Sequence, residues 1–268
     1  MNVLVISDTH HGHPGWNGFG EKIIAKAVTM TQTKKITVAL HIGDLIEPAN
    51  KKMTLKHGLD LFKNIPAEFH LWVAGNNDIE MITPENNILD YAQQLKIIGN
   101  EHDVWFLDFA PRIIDDIAFV GNFGYCDFSL WRPHKVHSPQ FPSTLQKIKV
   151  ESDHFHLNRF GHTQQEIFEH CQKTLRSHLL HCLGHKIVLA THTVPDSRLL
   201  LYGESPQFDF QNAWMGWDDS QSQNQIEKTP GLTFQFCGHT HRSQTINRTG
   251  TCPLINISGD KQPFVFTI

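Results

Sequence analysis

Metal-binding residue types recur at five places in this sequence, each directly after a short apolar run. Carboxylate, amide and imidazole groups together suit Mn²⁺, Fe²⁺ or Zn²⁺, and no cysteine lies among them to favour a softer ion. The set is large enough for two ions that share one carboxylate. Two ions about 3.5–4 Å apart can clamp a phosphoryl group and lower the pKa of a bound water. The candidate ligands are Asp8, His10, Asp44, Asn76, His192, His239 and His241.

The apolar runs predict strands that would position these side chains. Residues 3–7 are β-branched and apolar, as in a strand buried on both faces. Strand patterns also cover residues 36–40 and 68–73, with helical patterns at 21–31 and 53–63 between the strands. This alternation is typical of a parallel α/β sheet, whose ligands bind at the carboxyl ends of the strands. We therefore expect the candidate ligands to meet at one edge of the sheet.

The second half of the chain combines an antiparallel part with an irregular insertion. Short strands are predicted at 112–114 and 117–120, with a turn between them. Periodicity is then lost and aromatic residues alternate with prolines and histidines, which in a compact domain is typical of a lid or binding loop. We predict one domain over residues 1–268, with a lid-like insertion at 125–161. Further helices are predicted at 85–98 and 164–183, strands at 104–107, 187–190 and 232–236, and hairpin strands at 244–247, 253–258 and 264–268.

The composition is that of a soluble globular protein. The chain has 268 residues, a net charge of −4 and 40% hydrophobic residues, and no basic block supports a nucleic-acid partner. The amino terminus shows neither a signal-peptide pattern nor an apolar anchor, so no membrane association is expected. The five cysteines are scattered without a C-x-x-C pair, which favours a reducing, cytoplasmic environment.

Taken together, the motifs resemble those of the calcineurin-like metallophosphoesterase superfamily. All five blocks are present in order and span residues 3–242, whereas one block alone would carry little weight. The resemblance implies a four-layer α/β/β/α sandwich of two mixed sheets, hydrolysis of phosphoester bonds in a phosphate-containing substrate, and two divalent metal ions (manganese, iron or zinc). The blocks are Asp8-x-His10, Gly43-Asp44, Gly75-Asn76-Asn77-Asp78, His192 and Gly238-His239-Thr240-His241.

The resemblance also implies a role for each block. Asp44 would bridge the two ions, and a hydroxide between them would attack phosphorus in line. The ions and Asn76 would stabilise the charge that develops on the phosphoryl group. The expected catalytic residues are Asn76, Asn77 and Asp78. The first ion would be held by Asp8, His10 and His241, and the second by Asn76, His192 and His239.

The third block departs from the family pattern at Asn77. In many members of the family that the motifs resemble, the corresponding block carries a histidine at this position, and that histidine is thought to protonate the leaving group. An amide can donate a hydrogen bond but cannot act as a general acid, and losing a general acid costs on the order of 10²–10⁴ in rate for poor leaving groups. We therefore expect a phosphodiester or another activated phosphate as the substrate. His11 and His13 in the first loop, and His102 before a strand near the same edge, are candidates to replace the histidine, although each alone is typical of a solvated loop residue.

Substrate contacts are expected from His11 in the first loop and from Tyr125 and Asp127 at the base of the insertion. Two other functions remain open. A phosphomonoesterase or protein phosphatase of the same superfamily is disfavoured by the missing histidine. A binding or scaffold protein that keeps the fold would have degraded metal ligands, whereas all seven are present here. Each ligand alone could be a helix cap or turn residue, but together they would be buried polar groups that need partners.

Overall fold

The computed structural model describes nine stretches of the chain. Within them, eleven strands and five α-helices are formed. The insertion predicted at 125–161 is described only as far as residue 130, and the rest of it lies outside the described residues. In these stretches, no helix combines the length and the apolar character needed to cross a membrane. The described stretches are 1–15, 18–50, 53–82, 88–130, 162–201, 212–221, 225–248, 252–258 and 263–268.

Most helices and strands lie close to their predicted positions. The helix predicted at 85–98 begins later, because a 3₁₀ turn at Ile88–Asp90 leads into it. The α-helices are α1 (Phe19–Thr33), α2 (Leu55–Lys63), α3 (Asn76–Glu80), α4 (Tyr91–Glu101) and α5 (Gln164–His181). The strands are β1 (Asn2–Ile6), β2 (Ile36–Ile42), β3 (Ala67–Val73), β4 (Trp105–Phe106), β5 (Arg112–Ile114), β6 (Ile117–Asn122), β7 (Lys186–Thr191), β8 (Leu232–Cys237), β9 (Gln244–Ile246), β10 (Leu254–Asn256) and β11 (Phe264–Thr267).

The strands form two mixed sheets. Five strands make the first sheet, in the order β11-β1-β2-β3-β4, and six make the second, in the order β5-β6-β7-β8-β10-β9. The four strands β1 to β4 run parallel, as do β6, β7, β8 and β10. The antiparallel strands β11, β5 and β9 lie at sheet edges. The expectation of two mixed sheets is confirmed.

The first strand shows how the layers pack. Val3 and Val5 are buried between the two sheets, in one apolar cluster with Phe236 of β8. Leu4 and Ile6 point the other way, because successive side chains of a strand alternate, and they join the cluster that contains α1 and α2. On the outer face of the second sheet, α5 packs in the same manner against β6 and β7. The resulting order of helix, sheet, sheet and helix confirms the four-layer α/β/β/α sandwich.

The last strand pairs differently from the prediction. β9 and β10 form the expected hairpin in the second sheet, but β11 crosses to the first sheet and pairs antiparallel with β1. The ring centroid of Phe266 lies 4.4 Å from that of Phe234 and 5.2 Å from that of Phe236. Aromatic contacts at these distances stabilise the packing beyond the area that they bury. These rings explain why β11 lies beside β1, where it completes the core between the sheets.

Candidate metal centre

The candidate ligands follow the carboxyl ends of parallel strands, as predicted. A backbone hydrogen bond joins the first two loops, since the N–H of His10 donates to the Asp44 carbonyl at 2.9 Å. A second contact joins the two sheets, since Nδ1 of His192 donates to the Ile42 carbonyl at 3.0 Å. Both contacts bring distant parts of the sequence to one edge of the sandwich. By strand, the ligands are Asp8 and His10 after β1, Asp44 after β2, Asn76 after β3, His192 after β7, and His239 and His241 after β8.

The first group of ligands converges on one point. Potential ligand atoms of Asp8, His10, Asp44 and His241 all lie within 4.8 Å of one another. The Nε2 atoms of His10 and His241 are 3.1 Å apart. Nε2 of His241 is also 3.5 Å from Oδ1 of Asp8. The structure therefore brings together the residues that the sequence predicts for the first ion, with Asp44 beside them.

The second group shares Asp44 with the first. Ligand atoms of Asp44, His192 and His239 also lie within 4.8 Å of one another. Oδ1 of Asn76 is 3.2 Å from Nε2 of His192, so the amide oxygen faces the same point. Oδ2 of Asp44 lies 3.5 Å from Nε2 of His192 and 3.5 Å from Nε2 of His10. One carboxylate oxygen thus faces both groups, which is the arrangement that a bridging ligand requires.

The distances and donor types fit a pair of divalent ions. Two imidazole nitrogens that bind one ion at about 2.1 Å lie roughly 3.0–3.4 Å apart in octahedral or tetrahedral geometry. The separation of 3.1 Å between the Nε2 atoms of His10 and His241 falls in that range. Each group combines imidazole with carboxylate or amide oxygen, which suits Mn²⁺, Fe²⁺ or Zn²⁺. These residues are therefore suited to hold the metals that the sequence motifs imply.

Both carboxylates at the centre of the site are ionised at neutral pH. Burial opposes ionisation of Asp8, but the hydrogen bond to His241 and the charges of His192 and His241 lower its pKa to about 2. Burial likewise opposes ionisation of Asp44, and the charge and hydrogen bond of His192 hold its pKa well below the usual range. The fold therefore keeps two negative charges together where divalent ions would balance them.

Five of the candidate ligands have a left-handed backbone conformation. The φ angles are 51° for Asp8, 40° for His10, 53° for Asp44, 72° for His239 and 53° for His241. Residues other than glycine rarely adopt positive φ, and each such residue costs about 1 kcal/mol or more. Such strain persists only where the surrounding structure determines the conformation, and it concentrates at functional sites. The strand ends therefore impose the positions of these side chains.

The third motif begins a short helix that the sequence did not predict. The carboxylate of Asp78 caps α3, since its Oδ2 accepts the N–H of Gly75 at 2.9 Å. Its Oδ1 accepts the N–H of Leu45 at 2.9 Å. Asp78 is fully buried and joins the loop that carries Asp44 to the loop that carries Asn76. Its contacts are those of a positioning residue.

Asn77 lies inside the site. Its backbone N–H donates to Oδ1 of Asp44 at 2.9 Å, which leaves Oδ2 of that carboxylate facing the two ligand groups. Its side-chain Oδ1 accepts from Nδ2 of Asn76 at 2.7 Å, and its Nδ2 lies 3.1 Å from Nδ1 of His10. The side chain is almost fully buried. Asn77 therefore orients Asp44 and Asn76 and offers no ionisable proton.

Sequence reasoning missed Glu47, which contacts a candidate ligand. Its Oε2 lies 3.3 Å from Nδ1 of His10. When Nε2 of a histidine binds a metal, the other ring nitrogen commonly donates to a carboxylate, which fixes the ring and its tautomer. The position of Glu47, three residues after Asp44, carries no motif that would have identified it.

We expect Glu47→Gln to weaken the binding of one of the two ions, the one that His10 would hold. The amide removes the negative charge beside Nδ1 of His10, and such outer contacts are typically worth 10–100-fold in metal affinity. Titration of the metal-free protein with Mn²⁺ by calorimetry would measure the change. Glu101→Gln is the matched control, because Glu101 is exposed and pairs with Lys56 away from the site. Equal Mn²⁺ affinity in Glu47→Gln and the wild type would contradict this role.

Two of the three candidate replacement histidines lie away from the ligand groups. His11 is fully buried, with Nδ1 3.6 Å from Oε1 of Glu21 in α1, so its interpretation as a solvated residue is wrong. Since none of its surface is exposed, it cannot contact a substrate from this position. His102 ends α4 before β4, at the opposite edge of the sheet, with Nδ1 2.7 Å from Oδ1 of Asp60. The expectation that His102 lies near the ligand edge is wrong.

The remaining predicted residues differ in their exposure. His13 is half-buried, and its ring centroid lies 6.4 Å from that of His10. Tyr125 is fully buried, with its ring centroid 5.5 Å from that of Phe123, so it packs in the core and does not face a substrate. Asp127 keeps part of its surface exposed. Its contact with substrate stays a prediction.

Comparisons with known proteins agree with this fold. Residues 1–243 match the sequence profile of a family described as calcineurin-like phosphoesterase. No curated protein sequence matches the chain. Among solved structures, phosphopantetheinyl hydrolase from Mycobacterium tuberculosis superimposes with a TM-score of 0.72 at 17% identity, covering 96% of this chain and 88% of that one.

Two further solved structures share the architecture. The protein TT1561 of Thermus thermophilus has a TM-score of 0.52 at 11% identity, with 99% of this chain and 97% of that one covered. A dimetal phosphatase from Danio rerio has a TM-score of 0.50 at 13% identity, with 97% and 87% covered. At these identities the likeness shows a common fold, and substrates do not transfer with it.

Proposed function

Because the chain belongs to the calcineurin-like phosphoesterase family, we propose that it hydrolyses phosphodiesters or other activated phosphates at a centre of two divalent ions. Hydrolysis of phosphoester bonds follows from the family. The observation that supports two ions is the position of Asp44, whose Oδ2 lies 3.5 Å from a histidine nitrogen of each ligand group. The preference among phosphoesters rests on Asn77.

In this proposal each ion would be held by its own ligands, and Asp44 would contribute to both. When bound, the ions supply positive charge at the phosphoryl group and lower the pKa of water toward about 7. Nδ1 of His192 is held by the Ile42 carbonyl and Nδ1 of His10 by Glu47, so both Nε2 atoms face the centre. The proposed ligands are Asp8, His10 and His241 for the first ion, and Asn76, His192 and His239 for the second.

The preference for an activated phosphate comes from the chemistry of Asn77. Its amide lies beside His10 and Asn76, where it can donate a hydrogen bond but cannot transfer a proton to a departing alkoxide. Esters whose leaving group is stable as an anion need no such proton. The proposed substrates are therefore diesters and anhydrides with good leaving groups, in preference to alkyl monoesters.

Metal-dependent turnover of two model esters tests this proposal. Chelator-treated protein would be reloaded with Mn²⁺, Fe²⁺ or Zn²⁺ and assayed on bis(p-nitrophenyl) phosphate, an activated diester, beside phenyl phosphate, a monoester with a poor leaving group. We expect turnover that requires added metal, with a higher kcat/KM for the diester. His102→Gln, at the opposite edge of the sheet, should leave both activities unchanged. Two bound ions without turnover of any phosphoester would overturn the proposal and favour a binding or scaffold role.

A phosphomonoesterase is the second candidate, and His13 is the observation that favours it. Its ring packs against that of His10 and is partly exposed, unlike that of His11. A higher kcat/KM for the monoester would favour this candidate. Loss of the monoesterase activity in His13→Gln would then identify His13 as the proton donor to the leaving group.

We propose a reducing, cytoplasmic location. All five cysteines are free and buried, and none is paired in a disulfide. Such cysteines behave as small apolar residues, as is usual where thiols stay reduced. Fractionation of cells that produce the protein would test the location, and recovery outside the cytoplasm would contradict it.

A further inference from the structure

Asp108 is a buried carboxylate that none of the sequence motifs includes. It follows β4 and is 1% exposed. Its Oδ2 accepts the N–H of Ala74 at 3.1 Å, and its Oδ1 accepts the N–H of Phe123 at 2.6 Å and the hydroxyl of Tyr91 at 2.9 Å. One side chain therefore joins the end of β3 in the first sheet to the end of β6 in the second.

Both backbone partners of Asp108 lie next to proposed ligands of the second ion, one in sequence and the other by contact. Ala74 stands two residues before Asn76. Phe123 accepts the N–H of Thr193 at 3.1 Å, and its ring stacks on that of His192 at 6.2 Å between centroids. The residues held by Asp108 thus support Asn76 on one side and His192 on the other. The two ligands are themselves 3.2 Å apart.

The ligands of the other ion are supported by different groups. The hydroxyl of Ser7 donates to Oδ2 of Asp8, and Nδ1 of His10 contacts Glu47. Among the described residues, Asp108 makes no hydrogen bond to the loops that carry Asp8, His10 or His241. Its support is therefore confined to one side of the proposed centre.

From this geometry we infer that Asp108 is a positioning residue for the second ion, holding Asn76 and His192 at their separation. The inference rests on the proposed two-ion centre. A carboxylate is suited to this place because it is an acceptor at both oxygens and can receive all three hydrogen bonds. Burial raises the pKa of Asp108 to about 6, against the effect of its three donors, so the group is ionised at neutral pH.

Asp108→Asn tests the inference because it keeps the shape and removes one acceptor. An amide would turn its NH₂ group toward a backbone N–H, either of Ala74 or of Phe123, and one of those hydrogen bonds would be lost. We expect the affinity for one Mn²⁺ ion to fall by about 10–100-fold while that for the other stays unchanged. Calorimetric titration of the full chain would separate the two affinities.

Electron paramagnetic resonance adds a readout that general destabilisation would not reproduce. At a Mn²⁺ concentration that fills both sites of the wild type, we expect the signal of a coupled pair in the wild type and of isolated Mn²⁺ in Asp108→Asn. Diester hydrolysis by the variant should recover as Mn²⁺ is raised. Asp60→Asn is the matched control, because Asp60 is an exposed carboxylate that pairs with His102. This variant should match the wild type in every measurement.

The outcomes distinguish this inference from the proposed function. A wild type that binds one ion or none would overturn the two-ion proposal itself. A wild type with two ions, and Asp108→Asn with equal losses at both or at neither, would overturn the positioning role alone. If Asp108→Asn fails to fold, Tyr91→Phe provides the test, because it removes the hydroxyl donor and leaves both backbone hydrogen bonds of Asp108 in place. Tyr91→Phe should lower the affinity for the same Mn²⁺ ion by a smaller factor than Asp108→Asn. An unchanged affinity would count against the inference.

Discussion

Asp44→Asn is expected to lower kcat for bis(p-nitrophenyl) phosphate by about 10³-fold or more. The substitution removes the one negative charge that both ligand groups share. Removing a single preorganised electrostatic contact typically costs about 10²–10³-fold, and here the retention of the ions is also weakened. The fold should persist, because an amide oxygen can still accept the N–H of Asn77. Loss of activity would therefore report on the centre and not on unfolding.

The measurement pairs kinetics with metal content. Metal bound per chain after dialysis should fall from two ions in the wild type to one or none in Asp44→Asn. Asp103→Asn is a matched control, since Asp103 is exposed and pairs with Lys63 at the far edge of the sheet. Retention of two ions together with wild-type kcat in Asp44→Asn would show that this carboxylate does not bridge.

The second large effect is expected for Asn77→His. A histidine here would supply the proton donor that the motif lacks, and a general acid contributes about 10²–10⁴-fold for poor leaving groups. We expect hydrolysis of phenyl phosphate to rise by about 10²-fold, with a smaller gain for p-nitrophenyl phosphate. The dependence of kcat/KM on the pKa of the leaving group should therefore become shallower. A series of aryl phosphates would measure that slope.

Asn77→Gln separates acid catalysis from a change in shape. Glutamine also enlarges the side chain in the almost fully buried space beside His10 and Asn76, but it has no titratable proton. Overpacking of this kind costs about 1–3 kcal/mol in stability, so melting curves of both variants should be compared. An unchanged slope in Asn77→His, or the same change in Asn77→Gln, would show that the missing histidine does not set the substrate preference.

The candidate ligands could be predicted because their positions follow from strand periodicity. A buried strand such as β1 has a clear apolar pattern, and the first polar residues after it, Asp8 and His10, must emerge at the sheet edge. The same reasoning located Asp44 and His192. Several strand ends in the correct order then restrict the fold, because parallel strands place their carboxyl ends together.

Glu47 and Asp108 could not be found in this way because their partners are set by tertiary structure. Asp108 is bonded to two backbone N–H groups from different sheets, and no residue pattern specifies such a contact. The short helix α3 was missed for a different reason, since its five residues are too few to show a helical pattern even though Asp78 caps it locally. The pairing of β11 depends on rings that meet only when both sheets are assembled. Local patterns indicated elements, while the connections between loops needed the structure.

The left-handed backbone at five ligands has a consequence for how the centre exchanges metal. These conformations are fixed by the strand ends and by hydrogen bonds such as that from His239 to Asp8, so the protein alone sets the ligand positions. In metal-dependent folds, by contrast, the site forms only as the ion binds. Loss and return of metal here would then be a local event within an unchanged framework. The identity of the bound ions would then depend on which metals are available and on how well each accepts a preformed ligand geometry.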